Sequence, residues 1–220
     1  MKIYVSTCDK YMHLMSGFAH LFNKYWGSDV QVDVLGFTEP AGLPCNFNFN
    51  RLEETETRAW TTNLRDFFSR QPDHHFVFLL DDYWLTAPVD ANAVGAMEEL
   101  MYEPGVVKAD LSLNSMEFGH VPYRDSLVQA TVDARYRTST QPCIWARKFM
   151  LDLLTPGLNP WEFELQKNRV KEQRVIVGSN TQIYKYANVC LRGGINYDEL
   201  KKISVEDMVE LKELGAVKPR

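Results

Sequence analysis

The sequence has 220 residues, 45% of them hydrophobic and 24% charged, so it can bury a sizeable core and belongs to the globular class. Its formal net charge of −5 gives no electrostatic footprint for tight, sequence-independent binding to nucleic acid. No apolar run approaches the roughly 20 residues that a membrane-spanning helix needs, and the N-terminus has no signal-peptide pattern. The four cysteines lack CxxC or zinc-type spacing, so we expect reduced thiols in a cytoplasmic protein.

Strands and helices alternate through residues 1–113. Periodic apolar side chains predict helices at about Met12–Trp26 and Thr57–Gln71, and Asp90 is a typical N-cap for a helix reaching Tyr102. Phe37–Asn50 is rich in proline, glycine and asparagine, so we expect a loop there. Short apolar or alternating runs predict strands at Lys2–Ser6, Val30–Leu35, Phe76–Leu80 and Val106–Leu113. This order predicts an α/β fold with a mainly parallel sheet flanked by helices.

Residues 114–220 have a less regular pattern. Asn159 is followed by Pro160, a good helix start, because proline suits the first helical position. Further elements are predicted as strands at Leu127–Thr138, Arg174–Val177 and Ile183–Tyr186, a helix at Arg147–Leu154, and a final helix bracketed by Ser204, Asp207 and Gly215. No linker is long enough to divide the chain, so we expect one domain over residues 1–220.

Two adjacent carboxylates, Asp81 and Asp82, follow the most apolar predicted strand. In open α/β sheets ligands bind beyond the carboxyl ends of strands, which is where these two side chains should lie. Neighbouring carboxylates repel each other unless a positive group lies between them, and a divalent cation with a phosphorylated ligand would supply that charge. The alternative is a strand-end turn whose acids face water or cap the next segment.

The turn after the first strand contains no glycine. Dinucleotide-binding folds and P-loops need glycines there, because the main chain must approach the phosphates closely. Their absence argues against NAD, FAD and Walker-type ATP sites. The same turn can still hold a nucleoside, through the carboxylate of Asp9 and stacking on Tyr11, with Thr7 beside them. Alternatively it is an ordinary turn with Asp9 near a helix start.

These features together resemble the GT-A-type glycosyltransferases, in particular small bacterial and phage enzymes. The resemblance rests on the acid pair in LLDDYWL, on QPCIW (141–145) and on NPWEFE (159–164), and it extends from Lys2 to about Gly194. It implies a nucleotide-sugar-binding half at 1–113, and an acceptor-side half with a C-terminal helix at 114–220. It also implies Mn²⁺ or Mg²⁺ held against the donor diphosphate. Asp82 is the expected direct ligand, with Asp81 facing the ribose or ligating through water.

Sugar transfer with inversion also needs a general base. Glu162 lies three residues after Asn159, where it can close a capping box, whereas Glu164 has no such local task and points to another helix face. We therefore expect Glu164 to be the base, with Glu162 as the second candidate. Arg65 or Arg58, on the preceding helix, is a candidate phosphate contact, although exposed helix arginines commonly face solvent.

The acceptor region contains apolar and polar candidates. Trp145 and Trp161 can form a wall for a sugar ring, although such aromatics are more often core residues, and Gln141 lies in the same motif. The expected donor is a UDP-sugar, and the acceptor is an envelope glycan or a hydroxymethylated base of phage DNA. The cell would be a bacterium or a phage-infected host. A basic group (Arg124, Arg135, Arg137, Arg147 and Lys148) favours DNA, whereas the acidic net charge disfavours it.

Two other classes of protein stay open at this point. A nucleotidyltransferase uses a similar sheet and metal, but it usually begins with a glycine-rich basic loop, which this chain lacks. A noncatalytic nucleotide-binding or interaction domain would leave Asp81, Asp82 and Glu164 without a shared cleft.

Overall fold

The computed structural model describes residues 1–53, 59–113, 119–166, 174–191 and 193–217, and the statements below concern these residues. Its strands are β1 (Lys2–Ser6), β2 (Val32–Gly36), β3 (Phe47–Arg51), β4 (His75–Leu80), β5 (Tyr83–Leu85), β6 (Val106–Asp110), β7 (His120–Pro122), β8 (Leu127–Ala130), β9 (Cys143–Ala146), β10 (Val175–Ser179), β11 (Tyr186–Asn188), β12 (Cys190–Leu191) and β13 (Gly194–Ile195).

Helices lie between these strands and at the C-terminal end of the described chain. A short 3₁₀ helix at Met12–Leu14 leads into the first α-helix. The α-helices are α1 (Met15–Tyr25), α2 (Trp60–Ser69), α3 (Ala91–Leu100), α4 (Arg147–Leu153), α5 (Pro160–Glu164), α6 (Tyr197–Leu200) and α7 (Val205–Glu213).

The central feature is a nine-stranded sheet with the order β3-β2-β1-β4-β9-β6-β10-β8-β7. Strands β1 to β4 pair in parallel, and so do β6 and β10, whereas β9 is antiparallel to both of its neighbours. Both halves of the chain contribute strands to this sheet, which gives the expected α/β fold with a large, mostly parallel sheet. Two small pairs, β5 with β11 and β12 with β13, lie outside it.

Alternating side chains of the central strands face two separate apolar layers. In β4, Val77 and Leu79 pack with α1, α3 and α7, whereas Phe76 and Phe78 pack with α2, α4 and α5. Phe76 stacks on Phe68 of α2 with ring centroids 4.3 Å apart. The strand is therefore buried on both faces, as its continuous apolar run predicts.

Strand β9 determines which loops meet at the carboxyl edge of the sheet. Cys143 pairs with Phe78 of β4 and with Asp110 of β6, while Ala146 pairs with His75. Because β9 runs antiparallel, its first residue lies beside the last residues of β4 and β6. The segment before β9 is thereby brought next to the acids that follow β4.

Most predicted elements are present with boundaries shifted by a few residues, and three predictions were wrong. The expected loop at Phe37–Asn50 contains the start of β3, whose polar residues pair along the edge of the sheet. QPCIW contains a central strand, β9, and the predicted strand Leu127–Thr138 is limited to β8. The predicted strand Ile183–Tyr186 begins only at Tyr186, in β11. The predicted helix start at Thr57 lies outside the described residues.

Candidate active site

One cavity of about 670 Å³ opens at the carboxyl edge of the central strands. The turn after β1, the acids after β4 and the segment before β9 form its floor. Helix α5 and the β11–β12 segment form its sides. Its lining includes Thr7, Cys8, Lys10, Tyr11, Trp60, Asp81, Asp82, Tyr136, Ser139, Thr140, Gln141, Pro160, Trp161, Glu164, Asn188, Cys190 and Gly193. The three carboxylates singled out from the sequence, Asp81, Asp82 and Glu164, therefore share one cleft.

Asp81 is buried and held from three directions. The Thr7 hydroxyl donates to its Oδ2 at 2.5 Å, and its main-chain N–H donates to the Ser6 oxygen at 3.2 Å. The Trp84 indole Nε1 donates to its main-chain oxygen at 3.1 Å. Burial and the neighbouring Asp82 charge raise the pKa of Asp81 well above its usual range, although the bond from Thr7 opposes this. Asp81 is thus fixed between β1 and β5.

Asp82 lies half-buried beside Asp81. The Val189 N–H donates to its main-chain oxygen at 2.9 Å, which fixes the acid against the β11 segment. Its Oδ1 is buried and has no hydrogen-bond partner in the described chain. Burial raises the pKa of Asp82 to about 7, and the negative charge of Glu164 adds to this effect. An unpartnered buried carboxylate oxygen is costly, so this position suits a bound positive group.

The donor atoms at this position fit a hard divalent cation. Mg²⁺ prefers one or two carboxylates together with water and substrate phosphate oxygens, and the Asp81–Asp82 pair offers such carboxylates. Within the described residues, no group of three His, Cys, Asp or Glu side chains is arranged to hold a metal. Any cation held here would therefore need further oxygen ligands.

Two of the three residues predicted to contact a nucleotide in the turn after β1 line the cavity. Thr7 and Tyr11 line the cavity. Asp9, by contrast, is exposed and lies outside the lining, because its Oδ1 accepts the Thr38 N–H at 3.1 Å. Of the three residues of this turn expected near a nucleoside, Asp9 is the one that the structure places outside the cavity.

Helix α5 separates the two candidate bases. Asn159 caps the helix, its side chain accepting from the Glu162 N–H, while Glu162 accepts from the Asn159 N–H, each at 3.0 Å. This confirms the predicted capping box. Glu162, the second candidate base, is exposed and lies outside the cavity lining. Glu164 lines the cavity, and its Oε1 accepts both the main-chain N–H and the hydroxyl of Thr140, each at 2.6 Å.

The acceptor-side candidates fall into two groups. Trp161 is 60% exposed and lines the cavity, as does Gln141, whose Oε1 accepts from Ser112 at 3.1 Å. Trp145 is fully buried in β9, between Phe149 and the Lys108 side chain. Unlike Trp161, Trp145 therefore belongs to the core and does not line the cavity.

The arginine expected near the phosphates lies elsewhere. Arg65 is exposed on α2, and its Nη1 donates to the main-chain oxygens of Leu151 and Leu154 at 2.8 and 3.2 Å. Those oxygens lie at the C-terminal end of α4, where a cation is favourable. Arg65 does not line the cavity, and Arg58 lies outside the described residues.

Sequence reasoning missed several residues of the cleft. Lys10 lines it, with its Nζ 5.1 Å from the centre of the Tyr11 ring, and Gly193 of the β12–β13 turn packs against both. Thr140 lies 24 residues from Glu164, and Asn188 lies more than a hundred residues from Asp82, so only their tertiary positions show these relationships. The polar turn following β1 offered a signal for Lys10, whereas nothing local marks Asn188.

None of the helices in the described residues has the length and apolar character that crossing a membrane demands.

The comparisons with known proteins show a fold and no family. The chain matches no protein-family model and no curated protein. Among solved structures it is similar to S. aureus TarS residues 1–349, with a TM-score of 0.54 and 14% identity over 97% of this chain. It is also similar to another S. aureus TarS structure, with a TM-score of 0.52 and 14% identity over 96% of this chain. The chain spans 64% and 40% of those two structures, and at this identity the likeness shows that they share the fold.

Proposed function

We propose that this protein is a metal-dependent glycosyltransferase that moves a sugar from a UDP-sugar to an acceptor hydroxyl with inversion. The observation that carries the proposal is the shared cleft of Asp81, Asp82 and Glu164 at the carboxyl edge of the sheet. The shared fold with TarS, a glycosyltransferase, supports the same class of reaction. A GT-A-type arrangement, with the donor at residues 1–113 and the acceptor at 114–220, is part of this proposal.

The donor nucleotide binds at the turn after β1. Tyr11 stacks on the base, and Thr7 keeps Asp81 oriented toward the ribose through its 2.5 Å hydrogen bond. Lys10, a cation of the same turn, lies on the cavity surface where it can approach an anionic donor. The glycine-free turn suits a donor whose diphosphate is neutralised by metal rather than by main-chain N–H groups.

Asp82 would hold Mn²⁺ or Mg²⁺, with Asp81 beside it, and the cation would supply positive charge for the departing diphosphate. The buried, unpartnered Oδ1 of Asp82 supports this role.

Glu164 is the general base for the acceptor hydroxyl. Thr140 occupies its Oε1 with two short hydrogen bonds, and this fixes the carboxylate and leaves Oε2 to take the acceptor proton. A general base must lie within reach of the acceptor hydroxyl, and Glu164 lines the same cavity as Asp81 and Asp82.

The proposed acceptor is a saccharide. Trp161 presents an exposed indole on the cavity rim, which suits the apolar face of a sugar ring. Three of the five basic residues that favoured DNA bind other groups of the protein through ion pairs or hydrogen bonds. Arg124 pairs with Glu103, Arg147 donates to main-chain oxygens, and the buried Arg137 donates to the Arg174 oxygen at 3.0 Å. A hydroxymethylated base of phage DNA is the second acceptor to test.

The test is calorimetry with UDP and UDP-sugars, with and without Mn²⁺, followed by transfer assays on saccharide and hydroxymethylated-DNA acceptors. We expect UDP binding that strengthens with Mn²⁺ and loses this dependence in Asp82→Asn. The control is Asp29→Asn, which changes an exposed carboxylate distant from the cavity lining. Unchanged Mn²⁺-dependent affinity in Asp82→Asn would contradict the proposed metal site. Preferential binding of NAD, or transfer of a nucleotidyl group, would contradict the proposed reaction.

A further inference from the structure

A smaller cavity of about 130 Å³ lies beside the main cavity and is lined by Arg135, Tyr136, Glu164 and Leu165. Tyr136 and Glu164 line both cavities, so the two cavities meet at the carboxylate proposed as the general base. A pocket that holds a whole small ligand typically measures roughly 300–1,000 Å³, and the smaller cavity is well below that range. It is therefore an extension of the main cavity, with room for one group of a longer ligand.

Helix α5 presents exposed apolar side chains on both sides of this carboxylate. Trp161 and Leu165 are four residues apart and therefore lie on one face of the helix, with Glu164 beside them. Their side chains are 60% and 56% exposed, whereas Phe163, on the opposite face, is fully buried. Trp161 lines the main cavity and Leu165 lines the smaller one. Exposed apolar surface that borders a cleft commonly marks a ligand-binding groove, so this face of α5 suits a ligand that spans both cavities.

Tyr136 is held in a backbone conformation that tyrosine rarely adopts. Its φ is 55°, in the left-handed region, where the Cβ crowds the following carbonyl group. The residues that follow are anchored, since the buried Arg137 donates to the Arg174 oxygen at 3.0 Å. The Ser139 N–H also donates to the Tyr136 oxygen at 2.8 Å. Unfavourable conformations persist where the surrounding structure fixes them, and they cluster at ligand-binding sites. The anchored segment thus places a partly exposed aromatic ring where the two cavities meet.

The lining of the smaller cavity combines one positive and one negative side chain, Arg135 and Glu164, with the Tyr136 ring and the Leu165 side chain. Sugar hydroxyls both donate and accept hydrogen bonds, so a neutral sugar can accept from the guanidinium and donate to the carboxylate. The apolar face of its ring suits the aromatic ring of Tyr136. A phosphate group would also pair with Arg135, but it would face the negative charge of Glu164. The chemistry therefore favours a neutral sugar over the backbone of DNA.

We propose that the smaller cavity binds a second, neutral sugar unit of the acceptor, so that the preferred acceptor is an oligosaccharide rather than a single sugar. The inference rests on the proposed function, because it assigns the accepting unit to the main cavity beside Trp161 and Glu164. The adjoining unit lies between Tyr136 and Leu165, and Arg135 contacts its hydroxyl groups. These three residues determine which acceptor is used and take no part in binding the donor.

The experiment measures binding of the protein, in the presence of UDP and Mn²⁺, to an array of immobilised glycans. The array carries neutral and acidic monosaccharides, disaccharides and longer saccharides, together with plain and hydroxymethylated DNA. Calorimetry then gives the dissociation constants of the best-bound disaccharide and of its terminal monosaccharide. We expect the disaccharide to bind at least about tenfold more tightly, the effect of one added stacking contact with its hydrogen bonds.

Tyr136→Asn separates a role in binding from a role in folding. Asparagine tolerates the left-handed region, so this variant should melt at the same or a higher temperature, yet it should lose the preference for the disaccharide. Tyr136→Phe should keep the preference. Trp161→Ala should weaken binding of the monosaccharide and the disaccharide by the same factor, because Trp161 lines the main cavity alone. Tyr102→Asn, at an exposed tyrosine outside both linings, is the matched control and should bind as the unaltered protein does.

The outcomes separate this inference from the proposed function. Equal affinity for the monosaccharide and the disaccharide, or an unchanged preference in Tyr136→Asn, would overturn the second sugar site and leave the donor site standing. Lost preference together with a lower melting temperature of Tyr136→Asn would show a structural role and overturn the assignment of Tyr136. Binding to acidic glycans or DNA alone would overturn the neutral sugar. If UDP binds with Mn²⁺ and no glycan does, the inference fails while the donor site stands, and if UDP does not bind either, the proposed function fails as well.

Discussion

Thr140 donates both its main-chain N–H and its hydroxyl to the same oxygen of Glu164, each at 2.6 Å. The two residues are 24 positions apart, and the Thr138 hydroxyl also donates to main-chain oxygens of α5, at Phe163 and Glu164. The pair turns a flexible carboxylate into a fixed one. Its orientation can therefore be changed without touching Glu164 itself.

Removing the Thr140 hydroxyl tests this positioning role. Thr140→Val keeps the main-chain donor but loses one of the two bonds, so we expect kcat to fall by up to about 10²-fold, as for a misplaced reacting group. KM for the donor should change little, and Thr140→Ser should restore the rate. A purely structural role would lower the melting temperature of Thr140→Val and leave kcat intact.

Replacing each of the two glutamates of α5 by glutamine, in separate variants, tests which one is the general base. Glu164→Gln should bind UDP normally and transfer about 10²–10⁴-fold more slowly, the usual contribution of a general base. Glu162→Gln should stay active, and its effect should be limited to stability, by about 1 kcal/mol, the scale of a lost cap. Steady-state transfer together with donor affinity distinguishes the variants. An inactive Glu162→Gln beside an active Glu164→Gln would reverse the assignment.

Replacing Gly17 or Gly95 by alanine should change the stability of the protein in opposite directions, because Gly17 packs against Trp84 whereas Gly95 has open space beside it. A Cβ on Gly17 would lie 2.3 Å from Trp84 Cη2, so Gly17→Ala should destabilise the fold by about 1–3 kcal/mol, typical of overpacking. It should also weaken Mn²⁺-dependent UDP binding, because Trp84 holds the Asp81 oxygen. Gly95→Ala in α3 meets no atom within 4 Å and should stabilise by roughly 0.5–1 kcal/mol. Urea unfolding measures both, and equal signs would contradict the packing argument.

Titration of the buried Asp207 carboxyl should make the stability of the folded protein depend on pH. Burial alone would raise the pKa of Asp207, but hydrogen bonds from Lys24 and Tyr25 outweigh it and hold the pKa below the usual range. A depressed folded pKa stabilises the protein above the unfolded value of about 3.9, and this contribution is lost as the pH falls below it. Asp207→Asn should therefore lose about 1–3 kcal/mol at pH 7 and much less near pH 3. Melting curves across this range give the test, and a constant difference would contradict it.

The parts of the fold that local chemistry determines could be predicted from the sequence. The apolar run of β4 and the periodicity of α1 depend on neighbours within a few residues. The same holds for the caps at Asp90, Asn159 and Ser204, whose side chains bind N–H groups of their own helices. Such signals are complete in the sequence itself, so their elements appear where they were expected.

The missed features depend on contacts between distant segments. Trp145 is apolar whether it faces a ligand or a core, and only the insertion of β9 between β4 and β6 decides for the core. Asp9 and Arg65 carry suitable chemistry for a nucleotide, yet each is engaged by a main-chain group of another segment. For Asn188 no local pattern exists, because its neighbour Asp82 is more than a hundred residues away.

The position of β9 also has a consequence for how the protein can be divided or synthesised. During synthesis, the facing edges of β4 and β6 stay unpaired until β9 has been made, and β9 follows β4 by more than 60 residues. Exposed strand edges recruit other chains, and pairing across long sequence separations is slow. A fragment ending at residue 113 would therefore leave one edge of β4 and both edges of β6 unpaired and should aggregate, whereas a fragment that includes Ala146 pairs β4 and β6 through β9 and leaves only the β10 edge of β6 open.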